Sequence, residues 1–290
     1  MFFGSIPAVV TPFSGNCVDE DSLHALIEWQ IDEGSNGLVP CGTTGEAATL
    51  SIDEHRRVIE IAVEVARGRV PVIAGCGSNN TAHAVELTKI AKAAGADAAL
   101  HVPTYYNRPN QDGIYLHLAA VADLDFPVIL YNVPSRTITD ITVETMARLA
   151  RLPNVVGVKD ATGNLARVSA QRQACGEQFI QLSGNDDMAL GFNAMGGVGC
   201  ISVSANVAPK LCSQFQEAMR EGRWGEALDL QDRLYPVHAA LFSDASPGPV
   251  KYALSRVRSG FPAELRAPMT EPSKASKAAV DAALAHAGLA

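Results

Sequence analysis

Residues 155–160, Val-Val-Gly-Val-Lys-Asp, form an apolar run that ends in a lysine followed by an aspartate. The apolar positions are continuous rather than alternating, which is typical of a parallel strand covered on both faces. Runs of the same kind recur along the chain and predict eight strands, over residues 6–10, 37–40, 70–74, 97–102, 127–131, 155–159, 179–183 and 198–202. The core is therefore expected to form around a parallel sheet.

Helical segments lie between the predicted strands. Ser51 and Glu54 have the spacing of a capping box, and Gly34 and Gly95 stand where two helical periodicities end, as helix-ending glycines do. Strands and helices that alternate over residues 1–224 predict an α/β fold, a (β/α)8 TIM barrel that forms the catalytic domain. The sequence does not show that the sheet closes, so an open doubly wound sheet remains the alternative.

The pattern becomes purely helical after Pro209. Residues 211–221 predict the last helix of the barrel. Three more helices are predicted over residues 225–242, 250–257 and 273–287, with Pro247-Gly248-Pro249 as a break between the first two. We expect residues 225–290 to form a small C-terminal helical extension.

Composition limits the classes of function. A net charge of −8 argues against a nucleic-acid surface. Residues 1–13 contain two prolines and no basic segment, so they predict a buried strand rather than a signal peptide or membrane anchor. The six cysteines are scattered without a C-x-x-C pair, as expected of free thiols in the reducing cytoplasm.

Polar residues follow several predicted strands, and in a barrel such residues meet at one rim. They include Thr43, Thr44, Tyr106, Tyr131, Arg136, Lys159 and Gly184. This expected convergence is more informative than any one of the motifs. Each residue alone has an ordinary alternative, namely packing at a strand end, a tight turn or a solvated arginine.

Lys159 is the most distinctive of them because it continues an apolar strand inward. An amine that loses its hydration favours its neutral form, which can attack a carbonyl carbon and form an imine. Position alone leaves a second interpretation equally open, in which Lys159 pairs with Asp160 or extends to solvent. Tyr131, Thr43 and Tyr106 can pass protons in the first case.

The loop over residues 42–45 can present amides to a small carboxylate, and Arg136 can bind a second carboxylate.

The sequence gives less support to a metal site or a nucleotide cofactor. The seven histidines form no tight ligand set, and Asp186-Asp187 is expected to be a solvated loop rather than a cation site. Gly75-Cys76-Gly77 lacks the third glycine of a dinucleotide fingerprint.

At these residues the chain resembles the dihydrodipicolinate synthase and N-acetylneuraminate lyase superfamily, from end to end. The matching stretches are Gly42-Thr43-Thr44-Gly45-Glu46, Tyr105-Tyr106-Asn107-Arg108-Pro109, Tyr131-Asn132-Val133-Pro134-Ser135-Arg136-Thr137 and Val158-Lys159-Asp160-Ala161-Thr162-Gly163. The double threonine and Arg136 favour the synthase branch, because sialic-acid lyases usually carry Ser-Thr. In order and at this spacing the motifs are highly specific.

The resemblance implies a role for each matching residue. Lys159 forms an imine with pyruvate, Tyr131 passes protons with Thr43, and Tyr106 completes the relay from a neighbouring subunit. Thr44 holds the pyruvate carboxylate, Arg136 binds L-aspartate-4-semialdehyde, and Gly184 and Ile201 supply backbone around the imine. The resemblance further implies no metal or organic cofactor, the lysine and diaminopimelate pathway, and a homotetramer assembled as a dimer of dimers.

The chain departs from the family pattern at two places. His101-Val102-Pro103-Thr104 precedes the tyrosine pair, where the family more often has Thr-Pro. In the region that the family uses for feedback inhibition by lysine, Asn79, His55 and Tyr105 match. Ala47, Ile52 and His83 replace the usual Ser, His and Glu. We expect weak or absent inhibition by lysine, unless other groups compensate.

Two competing functions share part of this pattern. Another pyruvate-dependent aldolase, acting on a keto-deoxy sugar acid or on N-acetylneuraminate, would also use Lys159 and Tyr131. Its polyol substrate would not call for the guanidinium of Arg136. A catalytically silent barrel that senses pyruvate or lysine has no reason to keep all four of Lys159, Tyr131, Thr43 and Tyr106.

Overall fold

The computed structural model describes residues 2–290. Its strands are β1 (Gly4–Pro7), β2 (Phe13–Ser14), β3 (Cys17–Val18), β4 (Ile73–Gly75), β5 (Ala98–His101), β6 (Val128–Asn132), β7 (Val155–Asp160), β8 (Ile180–Ser183) and β9 (Gly199–Ser202). Seven of them form one parallel sheet in the order β1-β9-β8-β7-β6-β5-β4, and β2 pairs with β3 as a separate hairpin. The predicted parallel sheet is confirmed.

The sheet closes between β1 and β4 through the segment predicted as the second strand. Only Leu38 and Val39 of that segment pair, through isolated bridges to Val72 and Ala8. The predicted strand over residues 37–40 is therefore too long, because Pro40 has no amide to donate and takes part only through its carbonyl, which accepts from the Gly75 amide at 2.9 Å. The bridges close the barrel, so the open sheet is wrong.

Helices cover the outside of the sheet. They are α1 (Glu20–Asp32), α2 (Ile52–Ala66), α3 (Thr81–Ala93), α4 (Gln111–Ala122), α5 (Pro134–Thr137), α6 (Val143–Leu149), α7 (Ala166–Cys175), α8 (Ala189–Ala194), α9 (Pro209–Arg220), α10 (Trp224–Ala240), α11 (Gly248–Val257) and α12 (Lys274–Ala287). The capping box of α2 is confirmed, since the Glu54 amide donates to Ser51 Oγ and the Ser51 amide to the Glu54 carboxylate. None of the helices in residues 2–290 is long and apolar enough to cross a bilayer.

The apolar core has two layers. The inner layer lies inside the barrel and includes Ile6, Val39, Ile129, Leu182 and Ile201. The outer layer consists of clusters that lie between the sheet and its helices. Side chains alternate across each strand, so neighbouring residues at a strand end face different layers. This alternation decides which polar residues reach the barrel mouth.

Candidate active site

Lys159 and Tyr131 lie side by side on adjacent strands. They are register partners of β7 and β6, and the side chains are almost fully buried. Lys159 Nζ is 4.3 Å from the centroid of the Tyr131 ring. The amine and the phenol thus share one end of the barrel interior, as the sequence predicted.

Asp160 is not the partner of Lys159. It faces the outer layer, where Arg167 Nε is 3.2 Å from its carboxylate and Gln171 Nε2 donates to it at 2.6 Å. Thr162 donates to the other oxygen through its hydroxyl at 2.6 Å. No carboxylate in residues 2–290 forms an ion pair with Lys159. The interpretation of Lys159 as half of a Lys159–Asp160 pair is therefore wrong.

A cavity of about 770 Å³ opens above these two residues at the C-terminal ends of the strands. Six of the predicted site residues line it, namely Thr43, Thr44, Tyr131, Arg136, Lys159 and Gly184. They come from five different segments of the chain. The expected convergence on one rim is confirmed for these six.

The loop that carries Thr43 and Thr44 is tightly folded. A Cβ at Gly45 would lie 2.9 Å from the Val9 carbonyl oxygen, so a larger residue would displace the backbone. The amides of Gly45 and Glu46 are used inside the loop, bonding the carbonyls of Gly42 and Thr43. The amides of Thr43 and Thr44 have no acceptor within residues 2–290. They remain available to a bound carboxylate.

Arg136 stands on the single-turn helix α5. The Thr137 hydroxyl fixes this turn by donating to the carbonyls of Val133 and Thr139, at 3.0 and 2.8 Å. Arg136 is exposed, lines the cavity, and makes no ion pair with any described residue. Its guanidinium is free to bind a planar anion in two-pronged fashion.

Gly184 and Ile201 differ in their relation to the cavity. The Gly184 amide donates to the Asp160 carbonyl at 2.7 Å, and a Cβ at Gly184 would lie 2.7 Å from that of Ala161. Ile201 is fully buried inside the barrel opposite Ile6 and does not line the cavity.

Tyr106 lies outside the cavity of its own chain. Its side chain is 92% exposed, and its φ of 71° is unusual for a residue other than glycine. Thr104 and Arg108 in the same loop also have positive φ, at 100° and 48°. Tyr105 does line the cavity. The altered segment before the tyrosines thus leads into a loop that turns Tyr106 away from Lys159.

Of the three residues predicted for lysine binding, two line the same cavity and one does not. His55 and Tyr105 line the cavity with Ala47 and His83. His55 is buried with Nε2 2.8 Å from the Gly75 carbonyl oxygen, and burial lowers its pKa. Asn79 does not line the cavity, and its carbonyl accepts from Asn107 Nδ2 at 2.7 Å.

Two cavity residues were not recognised from the sequence. Asp186, expected in a solvated loop, is buried and accepts from the Ser202 hydroxyl and from the Val203 amide. His238 of α10 is held by a 2.7 Å hydrogen bond between its Nδ1 and the Ser204 hydroxyl, and burial lowers its pKa. No local signal in the sequence indicates His238, because it reaches the cavity from a distant helix.

The described residues contain no group of three or more His, Cys, Asp or Glu side chains placed to hold a metal ion. The fold and the site together define a class, the (β/α)8-barrel proteins with a buried lysine in a cavity at the C-terminal ends of the strands. Residues 1–287 match the dihydrodipicolinate synthetase family, and the chain belongs to this family.

Individual relatives are similar over their full length. The chain is 65% identical to 4-hydroxy-tetrahydrodipicolinate synthase of Rhizorhabdus wittichii, with all of both chains covered. The dihydrodipicolinate synthase structure from Aquifex aeolicus superposes with a TM-score of 0.97 at 42% identity, over 99% of both chains. The chloride-inhibited synthase from Acinetobacter baumannii, complexed with pyruvate, has the same TM-score and identity over all of both chains.

Proposed function

We propose that this chain is a 4-hydroxy-tetrahydrodipicolinate synthase, which condenses pyruvate with L-aspartate-4-semialdehyde through an imine on Lys159. The reaction belongs to the biosynthesis of diaminopimelate and lysine. One observation carries the proposal. Lys159 is a buried lysine without a carboxylate partner among the described residues, 4.3 Å from the Tyr131 ring at the floor of a cavity.

The first half of the reaction builds the nucleophile. Lys159 Nζ attacks C2 of pyruvate, and the resulting carbinolamine loses water to give a protonated imine. The positive imine draws electrons from C3, which releases a proton and becomes an enamine. We assign the transfer of these protons to Tyr131 and Thr43, a role supported by the fact that both line the same cavity as Lys159.

The second half joins the substrates. The enamine carbon attacks the aldehyde carbon of the semialdehyde, forming one C–C bond, and the aldehyde oxygen takes up a proton. The amino group of the adduct then attacks the imine carbon. The C–N bond to Lys159 breaks, so the ring closes and the free lysine is regenerated.

Two positions fit the carboxylates of the two substrates. The free amides of Thr43 and Thr44 and the hydroxyl of Thr44 suit the carboxylate of pyruvate. The unpaired Arg136 suits that of the semialdehyde. A sugar-acid or N-acetylneuraminate lyase is a weaker assignment, because a polyol gives no reason for an arginine there, and the 65% identical relative is a synthase.

The assembly we propose is a homotetramer made of two dimers. Tyr106 supports it, because its 92% exposed phenol lies outside its own cavity and requires a neighbouring chain to reach one.

We further assign the chemistry to the barrel of residues 1–224 and a covering role to residues 225–290. His238 and Phe242 of the extension line the cavity, which supports this division. The cytoplasm is the compartment we propose, because all six cysteines are free thiols.

Borohydride trapping tests the proposal. The protein is incubated with pyruvate and sodium borohydride, and the added mass is located by peptide mapping. We expect the adduct on Lys159 and none on Lys251, a second buried lysine that is paired with Glu46. Lys159→Arg, which keeps the charge but cannot form the imine, is the matched control. The absence of an adduct on Lys159 removes the mechanism. If Lys159 traps pyruvate, and the untreated enzyme turns over only when the semialdehyde is supplied as the second substrate, that substrate is identified.

A further inference from the structure

Arg167 lies on α7, outside the barrel, and is not part of the cavity. Its side chain is only 13% exposed and makes three contacts. Nε is 3.2 Å from Asp160 Oδ2, Nη1 is 3.3 Å from Asp140 Oδ2, and Nη2 donates to the Ile141 carbonyl at 2.7 Å. One guanidinium therefore bridges two carboxylates and a backbone oxygen.

The same contacts lead to Asn132 on the neighbouring strand. Asn132 Nδ2 donates to Asp140 Oδ1 at 2.7 Å, and the Ile141 amide donates to Asn132 Oδ1 at 3.0 Å. Asn132 is fully buried, as an amide with both ends hydrogen-bonded can be. Arg167 thus connects Asp160 on β7 to Asn132 on β6 through Asp140.

Asn132 and Asp160 are themselves register partners, and each directly follows a residue of the reaction centre. Tyr131 precedes Asn132, and Lys159 precedes Asp160. Because side chains alternate along a strand, the outward-facing pair is held by Arg167 while the inward-facing pair forms the site. A change in the outer contacts moves the two strand ends that set the distance between amine and phenol.

The outer contacts also carry charge. Asp160 is almost completely buried one residue from Lys159, and Arg167 is its only ion-pair partner among the described residues. Without the guanidinium, Asp160 would become an uncompensated buried anion, which is strongly unfavourable. Asp160 and Lys159 share the end of β7, so relieving that uncompensated charge would require a shift of the strand end that also carries the amine.

We propose that Arg167 is a positioning residue for the imine-forming step, a role that rests on the function proposed above. It fixes the ends of β6 and β7 through Asp140 and Asp160, and it neutralises the buried Asp160 carboxylate on the outer side of the barrel wall. It touches neither substrate.

The first test measures imine formation in Arg167→Met by rapid mixing with pyruvate and borohydride quench. We expect the rate of imine formation and kcat to fall about tenfold or more, which is about 1.4 kcal/mol of barrier per factor of ten. The KM for pyruvate should change less than about threefold, because the carboxylate pocket around Thr44 is untouched. Circular dichroism and thermal unfolding check that the variant is folded.

A second-site variant separates positioning from general loosening. Arg167→Met combined with Asp160→Asn removes the unpaired anion, and we expect it to recover imine formation at least about threefold over Arg167→Met alone. Arg167→Lys keeps the charge but lacks the planar guanidinium that reaches Asp160, Asp140 and the Ile141 carbonyl together, so it should fall between wild type and Arg167→Met. Arg148→Met breaks an exposed pair with Asp112 and should leave both rates unchanged.

The proposal is overturned if Arg167→Met folds and still forms the imine at the wild-type rate. It is also overturned if the double variant recovers none of the lost rate of imine formation. If Arg167→Met does not fold, Asp140→Asn replaces it, since Asp140 is partly exposed and its amide can keep the Asn132 contact. A wild-type rate in Asp140→Asn then overturns the proposal. Failure of the wild-type protein to trap pyruvate on Lys159 is a different result and removes the proposed function instead.

Discussion

Lys251 Nζ and a Glu46 carboxylate oxygen lie 2.5 Å apart in the interior, with 0% and 2% of the two side chains exposed. Lys251 also donates to the Glu264 carbonyl at 2.7 Å, and the Arg266 amide donates to Glu46 at 3.1 Å. Glu46 belongs to the loop that carries Thr44, and Lys251 belongs to α11. The pair therefore joins the predicted carboxylate pocket to the C-terminal helices.

Lys251→Met should destabilise the protein strongly, because it leaves Glu46 buried without a counter-charge. We expect a loss of about 3–5 kcal/mol in the free energy of unfolding, measured with urea. The double variant with Glu46→Gln should recover a large part of that loss. Lys277→Met, at an exposed pair with Glu271, should stay within about 0.5 kcal/mol of wild type. An equally small loss in Lys251→Met would contradict this account.

Arg136→Met should impair use of the second substrate only. We expect KM for the semialdehyde to rise about tenfold to a hundredfold, since a charge-assisted contact is lost. KM for pyruvate should stay within about twofold, because the Thr43–Thr44 loop does not depend on Arg136. Steady-state kinetics with each substrate varied in turn measures both values. Arg151→Met, at an exposed arginine, is the control. Equal effects on both substrates would show that Arg136 does not discriminate between them.

Tyr106 should act on the cavity of a neighbouring chain. Mixed oligomers of Tyr106→Phe and Lys159→Arg chains test this directly, because only a mixed pair has an intact Lys159 that meets an intact Tyr106. Random pairing should restore about one quarter of the wild-type sites. If Tyr106 serves its own chain, the mixture will be no more active than the sum of its parts.

L-Lysine should inhibit weakly or not at all. The ammonium of a lysine ligand favours a carboxylate partner, and His83, which lines the cavity, stands where the family usually has a glutamate. We expect less than about a fifth of the activity to be lost at about 1 mM lysine, a concentration that corresponds to weak binding. His83→Glu should increase the sensitivity. Inhibition of the wild-type protein well below this concentration would refute the expectation.

Stability should fall in mild acid because of His101. The imidazole is fully buried with Nε2 2.9 Å from the Thr88 hydroxyl, and burial lowers its pKa from 6.5 to about 3. The unfolded chain therefore binds a proton that the folded chain excludes between these values. The stabilisation is complete above pH 6.5 and is lost at up to about 1.4 kcal/mol per unit as the pH falls toward 3.

Urea unfolding of wild type and His101→Gln at pH 7.5 and 5.0 measures this contribution. The difference in the free energy of unfolding between the two pH values should be smaller in the variant by about 1–2 kcal/mol, because glutamine does not titrate. Equal differences would assign the acid sensitivity to other groups, such as His55, His117 and His238, whose pKa values are also lowered by burial.

The sequence was a good guide where a local pattern has one physical solution. The apolar, β-branched run before Lys159 favours a strand buried on both faces, which is β7, and the capping box at Ser51 predicts the start of α2 within three residues. The segment over residues 37–40 shows the limit. Its composition is that of a strand, yet Pro40 restricts its pairing to two bridges.

The candidate site was predictable as a set of residues, because the ends of parallel strands meet at one rim. The partners of those residues were not. Asp160 follows Lys159 directly, and the sequence left a pair between them open, whereas Asp160 bonds Arg167 and Gln171 of the next helix. His238 and Lys251 gave no signal, because each reaches its partner from a distant helix.

The sequence by itself determined the alternation of parallel strands and helices, because periodicity is a local property, and its resemblance to a known family indicated the residues that carry the proposed chemistry. Closure of the sheet into a barrel was left open by the sequence and was decided by the bridges at Leu38 and Val39. Only the tertiary structure decided which side of the barrel wall each polar residue faces and which charge neutralises which. Those choices depend on alternation across a closed sheet and on burial against distant segments. The structure thus leaves Lys159 without a carboxylate, Arg136 unpaired and Tyr106 outside its own cavity.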